Sequence, residues 1–494
     1  MAHRFSVPLL AFAAALPASP LLAQKAAQEA EVYLERIAAL DDAGPKLNAV
    51  IAVNPDAVEQ AREGEAQKLP LAGRTVLVKD NIETRELPTT AGSLALAGNM
   101  TGRDAPMIAR LREHGGVVLG KTNLSEWANF RSENSTSGWS GAGGLTRNPH
   151  ATDRNTCGSS SGSGAAVAAG LAWAAIGTET DGSIICPSST NGIVGFKPSV
   201  GLVSRTQVVP ISASQDTAGP MARSVRDAAL LLNAIAGPDP ADPATRAAAP
   251  HVVDFTQGLD GVSLDGVRIG VLRNRVGPRA DVSALFDTAL ADMARAGAIL
   301  VDVEAAIDGK MYEDEYTVLL YEFREGVDAY LASLPGEGLP RDLAGLIAFN
   351  NAHPAQELRW FDQGIFEKAL MTRDEAAYRA ARANSLRLAG EEGIDRLLRE
   401  HEVAMLVAPS RGPAWVSDLV NGDNFGGSYG LGSHAAIAGY PHLTVPMGAV
   451  EGLPVGISII GAKWTDHEVL KAGAAYEAAR TAELAEPSFE PWRP

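Results

Sequence analysis

The residues best suited to chemistry stand in two short runs, Cys157-Gly-Ser-Ser-Ser-Gly-Ser-Gly164 and Gly177-Thr-Glu-Thr-Asp-Gly-Ser183-Ile-Ile-Cys186-Pro187. In the second, Thr180-Asp181-Gly182-Ser183 sets a small, flexible glycine directly before a serine. The backbone N–H groups of these four residues can then turn towards one point and hold a developing oxyanion. Ser183 is the nucleophile on this reading. The first run supplies hydroxyls, which donate and accept at once, and Ser159 is the residue we assign there as proton relay. A serine hydroxyl is a weak nucleophile without a base. Val76-Leu-Val-Lys79-Asp-Asn81 offers one, a lysine closing a β-rich apolar run where burial can desolvate it. Taken alone, this chemistry is acyl transfer at Ser183 and nothing narrower.

Those groups need elements to bring them together. Residues 165–176, AAVAAGLAWAAI, are apolar and Ala-rich, and read as a buried helix or a helix-to-strand passage that carries the first run to the second. A Gly/Ser run on its own reads as a flexible linker. The lysine at a strand end and the Asp-Gly-Ser loop give this one a different meaning. The order Gly-x-x-x-x-Gly-Lys-Ser/Thr that would place a lysine on phosphates is missing. No lysine lies three residues after a serine of these runs, and Ser183 does not sit in a Gly-x-Ser-x-Gly elbow, so two other serine-nucleophile arrangements are excluded.

Three segments occur in a fixed order: VKDN at 78–81, GSSSGSG at 158–164 and GTETDGSIICP at 177–187. In these the chain resembles the amidase signature enzymes. The resemblance continues through Asn191–Pro198, Gln215–Met221 and Gly439–Pro446, and so covers most of the chain. It implies a Ser–Ser–Lys triad of Lys79, Ser159 and Ser183, with the middle serine on a cis peptide bond. It also implies a cofactor-free amidase in one α/β domain, with a large mixed sheet covered by helices on both faces. The wording of residues 146–164 and 177–187 is most similar to bacterial peptide amidases, which makes the C-terminal amide of peptides the expected substrate. Aryl-acylamidase, esterase or general aliphatic amidase activity on the same triad is the alternative, and a binding protein that has lost catalysis is the alternative of another class. A tRNA-dependent amidotransferase subunit is a further family option, disfavoured by the export signal described below. Asp181 stands where many members have glycine. A carboxylate pointing outward would leave the oxyanion N–H groups intact, and one pointing inward would weaken that assignment.

Composition bounds the rest. Hydrophobic residues make up 46% of 494 residues, enough for a large core, and the net charge is −17. Such a surface repels nucleic acid and anionic lipid, so neither is an expected partner. The nine histidines form no metal-binding spacing, and no metal is expected. His114 reads as a helix end, and His434 and His442 as structural residues near the cleft. A basic start at His3-Arg4, an apolar stretch Val7–Leu16 and small residues before Gln24 read as a signal peptide, residues 1–23. That leaves an amidase domain at 24–494, periplasmic or secreted, not membrane-bound. One of the two cysteines, Cys157 and Cys186, flanks each catalytic run. We expect them as free, buried thiols filling the core.

Periodicity predicts helices over 26–40 and from 57, a strand at 71–78, and a helix then a strand over 107–120. Thr122–Ala128 resembles the family's cleft border, with Glu126 a helix cap or a salt-bridge partner. A helix is expected over 224–235 and a strand–helix–strand unit over 268–303. Residues 311–400 read as mostly helical. Tyr321, Trp360 and Phe361 there are pocket candidates, with core packing the stronger reading. A strand at 403–408 and a Gly-rich cleft wall or lid at 421–432 complete the pattern.

Overall fold

Val76 and Val78 belong to one buried hydrophobic layer and Leu77 to another. Side chains alternate across a strand, so a strand covered on both faces must be apolar at consecutive positions. That is why Thr75–Lys79 is buried throughout. The computed structural model describes residues 25–493, and the expected signal peptide, 1–23, lies outside the described residues.

The strands are β1 Val50–Val53, β2 Thr75–Lys79, β3 Val117–Thr122, β4 Trp139–Ser140, β5 Gly144–Leu145, β6 Ala174–Glu179, β7 Val194–Lys197, β8 Thr217–Ala222, β9 Arg268–Leu272, β10 Ile299–Val303, β11 Met405–Pro409, β12 His442–Val450 and β13 Leu453–Gly461. Eleven of them form one sheet in the order β1-β3-β2-β6-β8-β7-β12-β13-β11-β9-β10. It is mixed. β2 lies parallel to both β3 and β6, while β6 and β8 are antiparallel. Strands from both ends of the chain meet in it, so the fold is a single α/β domain with a large mixed sheet flanked by helices.

One face is covered by helices Pro106–Glu113, Val225–Ile235, Ala280–Arg295 and Asp466–Ala479. On the other, helix Lys25–Arg36 and helix Ser161–Ala168 pack over Leu77 and Ala175. Lys79 shares the parity of Leu77 and leaves the sheet towards that second face. Helix Ser161–Ala168 sits there because Gly162 lets it approach so closely that a Cβ would meet Ala49 O at 2.3 Å. The predicted helix–strand passage is therefore real, with the helix ending at Ala168 and β6 starting at Ala174.

The strand predicted at 71–78 begins only at Thr75, because a turn occupies Leu71–Gly73. The 268–303 unit forms as strand, helix and parallel strand. Helices Gly309–Ser333, Leu343–Ala352, Gly364–Met371 and Glu375–Leu386 fill the region expected to be helical. Phe323 and Phe366 from these helices pack on Trp127 and Phe130. The helical layer thus roofs the segment beside the catalytic runs.

Candidate active site

β2 ends at Lys79 and β6 at Glu179, and the two strands are parallel neighbours, so their C-terminal ends open on one side of the sheet. The ammonium of Lys79 donates to Ser159 Oγ at 2.8 Å and to Thr178 Oγ1 at 2.8 Å, and Lys79 is fully buried. Burial, opposed by the charges of Asp216 and Glu179, pulls Lys79 down to about 7. A lysine with that value is available as a base in neutral solution. Asn81 Nδ2 donates to the same Thr178 hydroxyl at 3.0 Å, which fixes the second ligand of the ammonium.

Ser159 follows Gly158 through a cis peptide bond, as the family resemblance implied. The two runs are tied by main chain, since Ser160 N donates to Ser183 O at 3.1 Å. Thr178 N donates in turn to Ser160 Oγ at 3.2 Å. Ser183 is buried, and it lines a cavity of about 520 Å³ together with Thr180, Asp181 and Gly182. Phe130, Ile211, Leu319, Ile365 and Phe425 give that cleft apolar walls.

The loop before Ser183 has the features an oxyanion hole needs. Gly182 takes φ +81°, a conformation that a side chain would strain. Glu179 accepts from Ile184 N at 2.8 Å and Ile185 N at 3.0 Å, which pins the turn just beyond the serine. The N–H groups of Asp181, Gly182 and Ser183 donate to no partner among the described residues. Thr180 is anchored from below, its hydroxyl donating to Asp216 Oδ1 at 2.6 Å. Asp181 turns its carboxylate into the cleft. It is exposed to the cleft by area, yet the protein packed around that opening desolvates it enough to push it up to about 6. The neighbouring Ser433 hydroxyl works against that rise and the charge of Glu179 adds to it. The carboxylate thus faces inward without taking the loop's N–H groups.

One expectation fails. Cys157 and Cys186 are joined in a disulfide, with Cα atoms 5.8 Å apart, and are not free thiols. Convergence of the two runs brings Cys157, two residues before Ser159, against Cys186 in the first turn after Ser183, and neighbours at this separation are within bridging reach.

Other expectations sort by environment. Glu126 is the salt-bridge partner foreseen, 3.3 Å from Arg131. His114 caps its helix. His442 is structural, its Nε2 2.6 Å from Ser458 Oγ, and burial pulls it down to about 3. Tyr321 lines a separate pocket with Tyr378, and Phe361 packs edge to face against Trp139. Asn421, Gly422, Asp423 and Phe425 of the Gly-rich loop wall the cleft. Sequence reasoning gave no role to Thr178, Glu179 or Asp216. An acid closing an apolar strand, such as Glu179, must be satisfied locally, and that signal was present.

A family model for amidases matches residues 30–470, and the chain belongs to the amidase family, the amidase signature enzymes. It is a hydrolase acting on amide C–N bonds. The peptide amidase of Stenotrophomonas maltophilia is 49% identical and superposes with a TM-score of 0.89, over 94% of this chain and 95% of that one. A peptide amidase in complex with the competitive inhibitor chymostatin is 50% identical, with a TM-score of 0.89 over 93% and 95%. A probable amidase of Arabidopsis thaliana is 38% identical over 92% of this chain and 86% of its own length.

Proposed function

We propose that this amidase hydrolyses the C-terminal carboxamide of peptides to the free acid and ammonia, through Ser183, Ser159 and Lys79. Neutral Lys79 takes the Ser159 proton as Ser159 takes that of Ser183, and Ser183 Oγ bonds to the carbonyl carbon. The N–H groups of Asp181, Gly182 and Ser183, with Thr180 beside them, hold the oxyanion. The proton returns through Ser159 to the departing nitrogen, the C–N bond breaks and ammonia leaves. Water then attacks the Ser183 ester by the same relay and releases the acid.

The observation that carries this reading is the 2.8 Å contact between Lys79 and Ser159, with the lysine buried and pulled down to about 7. The narrower substrate is supported by similarity to peptide amidases over nearly the whole chain. Ammonia release should be fastest from peptide amides in a panel that includes free amino-acid amides and aryl amides. Preference for aryl amides, or cleavage of internal peptide bonds, would overturn the substrate while leaving the triad.

Residues 1–23 then export the enzyme to the periplasm or beyond. The Cys157–Cys186 bridge supports this, because disulfides persist in oxidising compartments. Cell fractionation with N-terminal sequencing is the test, and a cytosolic protein that keeps residues 1–23 would refute export.

A further inference from the structure

Arg411 stands two residues beyond β11, in the wall between two cavities. One is the catalytic cleft, and the other is a pocket of about 360 Å³ lined by Arg154, Trp415, Tyr429 and Trp492. Its guanidinium lies over the Phe425 ring, 4.1 Å from the centroid, and near Trp415 at 5.9 Å. Those two rings pack edge to face at 4.8 Å, so the plane of the guanidinium is held before any ligand arrives.

Yet among the described residues Arg411 donates no hydrogen bond and forms no ion pair within 4.0 Å. The nearest candidates are not hydrogen-bonded to it. Asp423 accepts from Ser137 N at 3.0 Å and from Trp415 Nε1 at 3.3 Å, and Asp181 acts on Arg411 through its charge without a hydrogen bond to it. A half-buried guanidinium with five donors and no acceptor is costly unless something in the cleft supplies one.

The charge around it selects the acceptor. Asp181 and Asp423 both act on Arg411 electrostatically, so a substrate carboxylate would enter the field of two others. An ammonium has only donors and offers the guanidinium no acceptor. A neutral carbonyl oxygen meets neither objection, and a donor that is charged makes the stronger hydrogen bond to it. We propose that Arg411 binds the carbonyl of the acyl group on the α-nitrogen of the substrate's terminal amide residue, and so selects peptide amides and N-acylated amino-acid amides over free amino-acid amides. This rests on the peptide-amide reading and names the residue that enforces it.

The test compares N-acetylphenylalaninamide as substrate with 3-phenylpropanamide, which has the same side chain and scissile group but no second carbonyl, as substrate or competitive inhibitor. Arg411→Gln should raise KM for the first by about 10- to 100-fold, with kcat nearly unchanged, as expected for loss of one charge-assisted hydrogen bond. The KM or Ki of the second should not move. Arg411→Lys, which keeps the charge without the fork, should recover part of the loss. Unchanged KM for the acetylated amide in Arg411→Gln, or equal weakening of both compounds, would overturn the assignment. Thermal unfolding of both variants checks that the wall stays folded. A wild-type enzyme inert towards every N-acylated amide would remove the peptide-amide reading and this inference with it. A wild-type enzyme that cleaves them, with the variant's KM unmoved, removes the inference alone.

Discussion

Ser160 N donates to Ser183 O across 3.1 Å, so the Gly-Ser loop and the Asp-Gly-Ser loop are joined by main chain immediately beside Ser159 and Ser183. A buried disulfide between Cys157 and Cys186, which also lines the cleft, closes the same junction. The relative position of Ser159 and Ser183 is therefore held by backbone and covalent links, which leaves their side chains free for the proposed proton relay.

Ser183→Ala removes the nucleophile and leaves the loop, and should lower kcat by at least about 1,000-fold while thermal unfolding stays near wild type. Lys79→Ala and Ser159→Ala should fall almost as far. Residues acting as one unit are strongly non-additive, so the double variant Lys79→Ala/Ser183→Ala should be scarcely worse than either single one. Wild-type turnover in any single variant would take that residue out of the mechanism.

The acid limb of kcat/KM should bend near pH 7, where Lys79 passes from neutral to charged. The base must be neutral, so activity is lost as pH falls through that value, about tenfold per unit below it. A profile flat down to pH 5 would mean that another group takes the proton.

Asp216→Asn should move that limb to lower pH. The Asp216 charge favours protonated Lys79, and removing it makes the ammonium harder to form. Asparagine can keep an acceptor for the Thr180 hydroxyl, now bound at 2.6 Å, but not also for Ile211 N and Ser212 N, which donate to the other oxygen at 2.8 and 2.9 Å, so thermal unfolding of the variant is the control. A shift upward would show that the aspartate acts through loop geometry instead.

Mass analysis without reductant should find the protein two protons lighter than its reduced form. The bridge spans a sequence separation of 29, and opening it with Cys157→Ser/Cys186→Ser should cost roughly 3–4 kcal/mol by chain-entropy reasoning, read as a lowered denaturation midpoint. An unchanged mass would contradict the bridge.

The order of VKDN, the Gly-Ser run and the Asp-Gly-Ser loop singled out Lys79, Ser159 and Ser183 as candidates, because each residue type carries its chemistry in the chain itself, and the fold sets Lys79 against Ser159. Apolar runs such as Thr75–Lys79 likewise show that a strand is covered on both faces, since water on either side would demand alternation. Pairings between distant segments are another matter. Whether Cys157 reaches Cys186 depends on how closely two loops converge, and spacing along the chain is silent on that distance. Nothing local in Val407-Ala-Pro-Ser-Arg411 says that its arginine ends in the cleft wall with no acceptor. Thr178, Glu179 and Asp216 acquire their roles for the same reason. Each acts on a group brought to it by the sheet, through hydrogen bonds and charges whose strength depends on separations and burial that exist only once β2, β6 and β8 lie side by side.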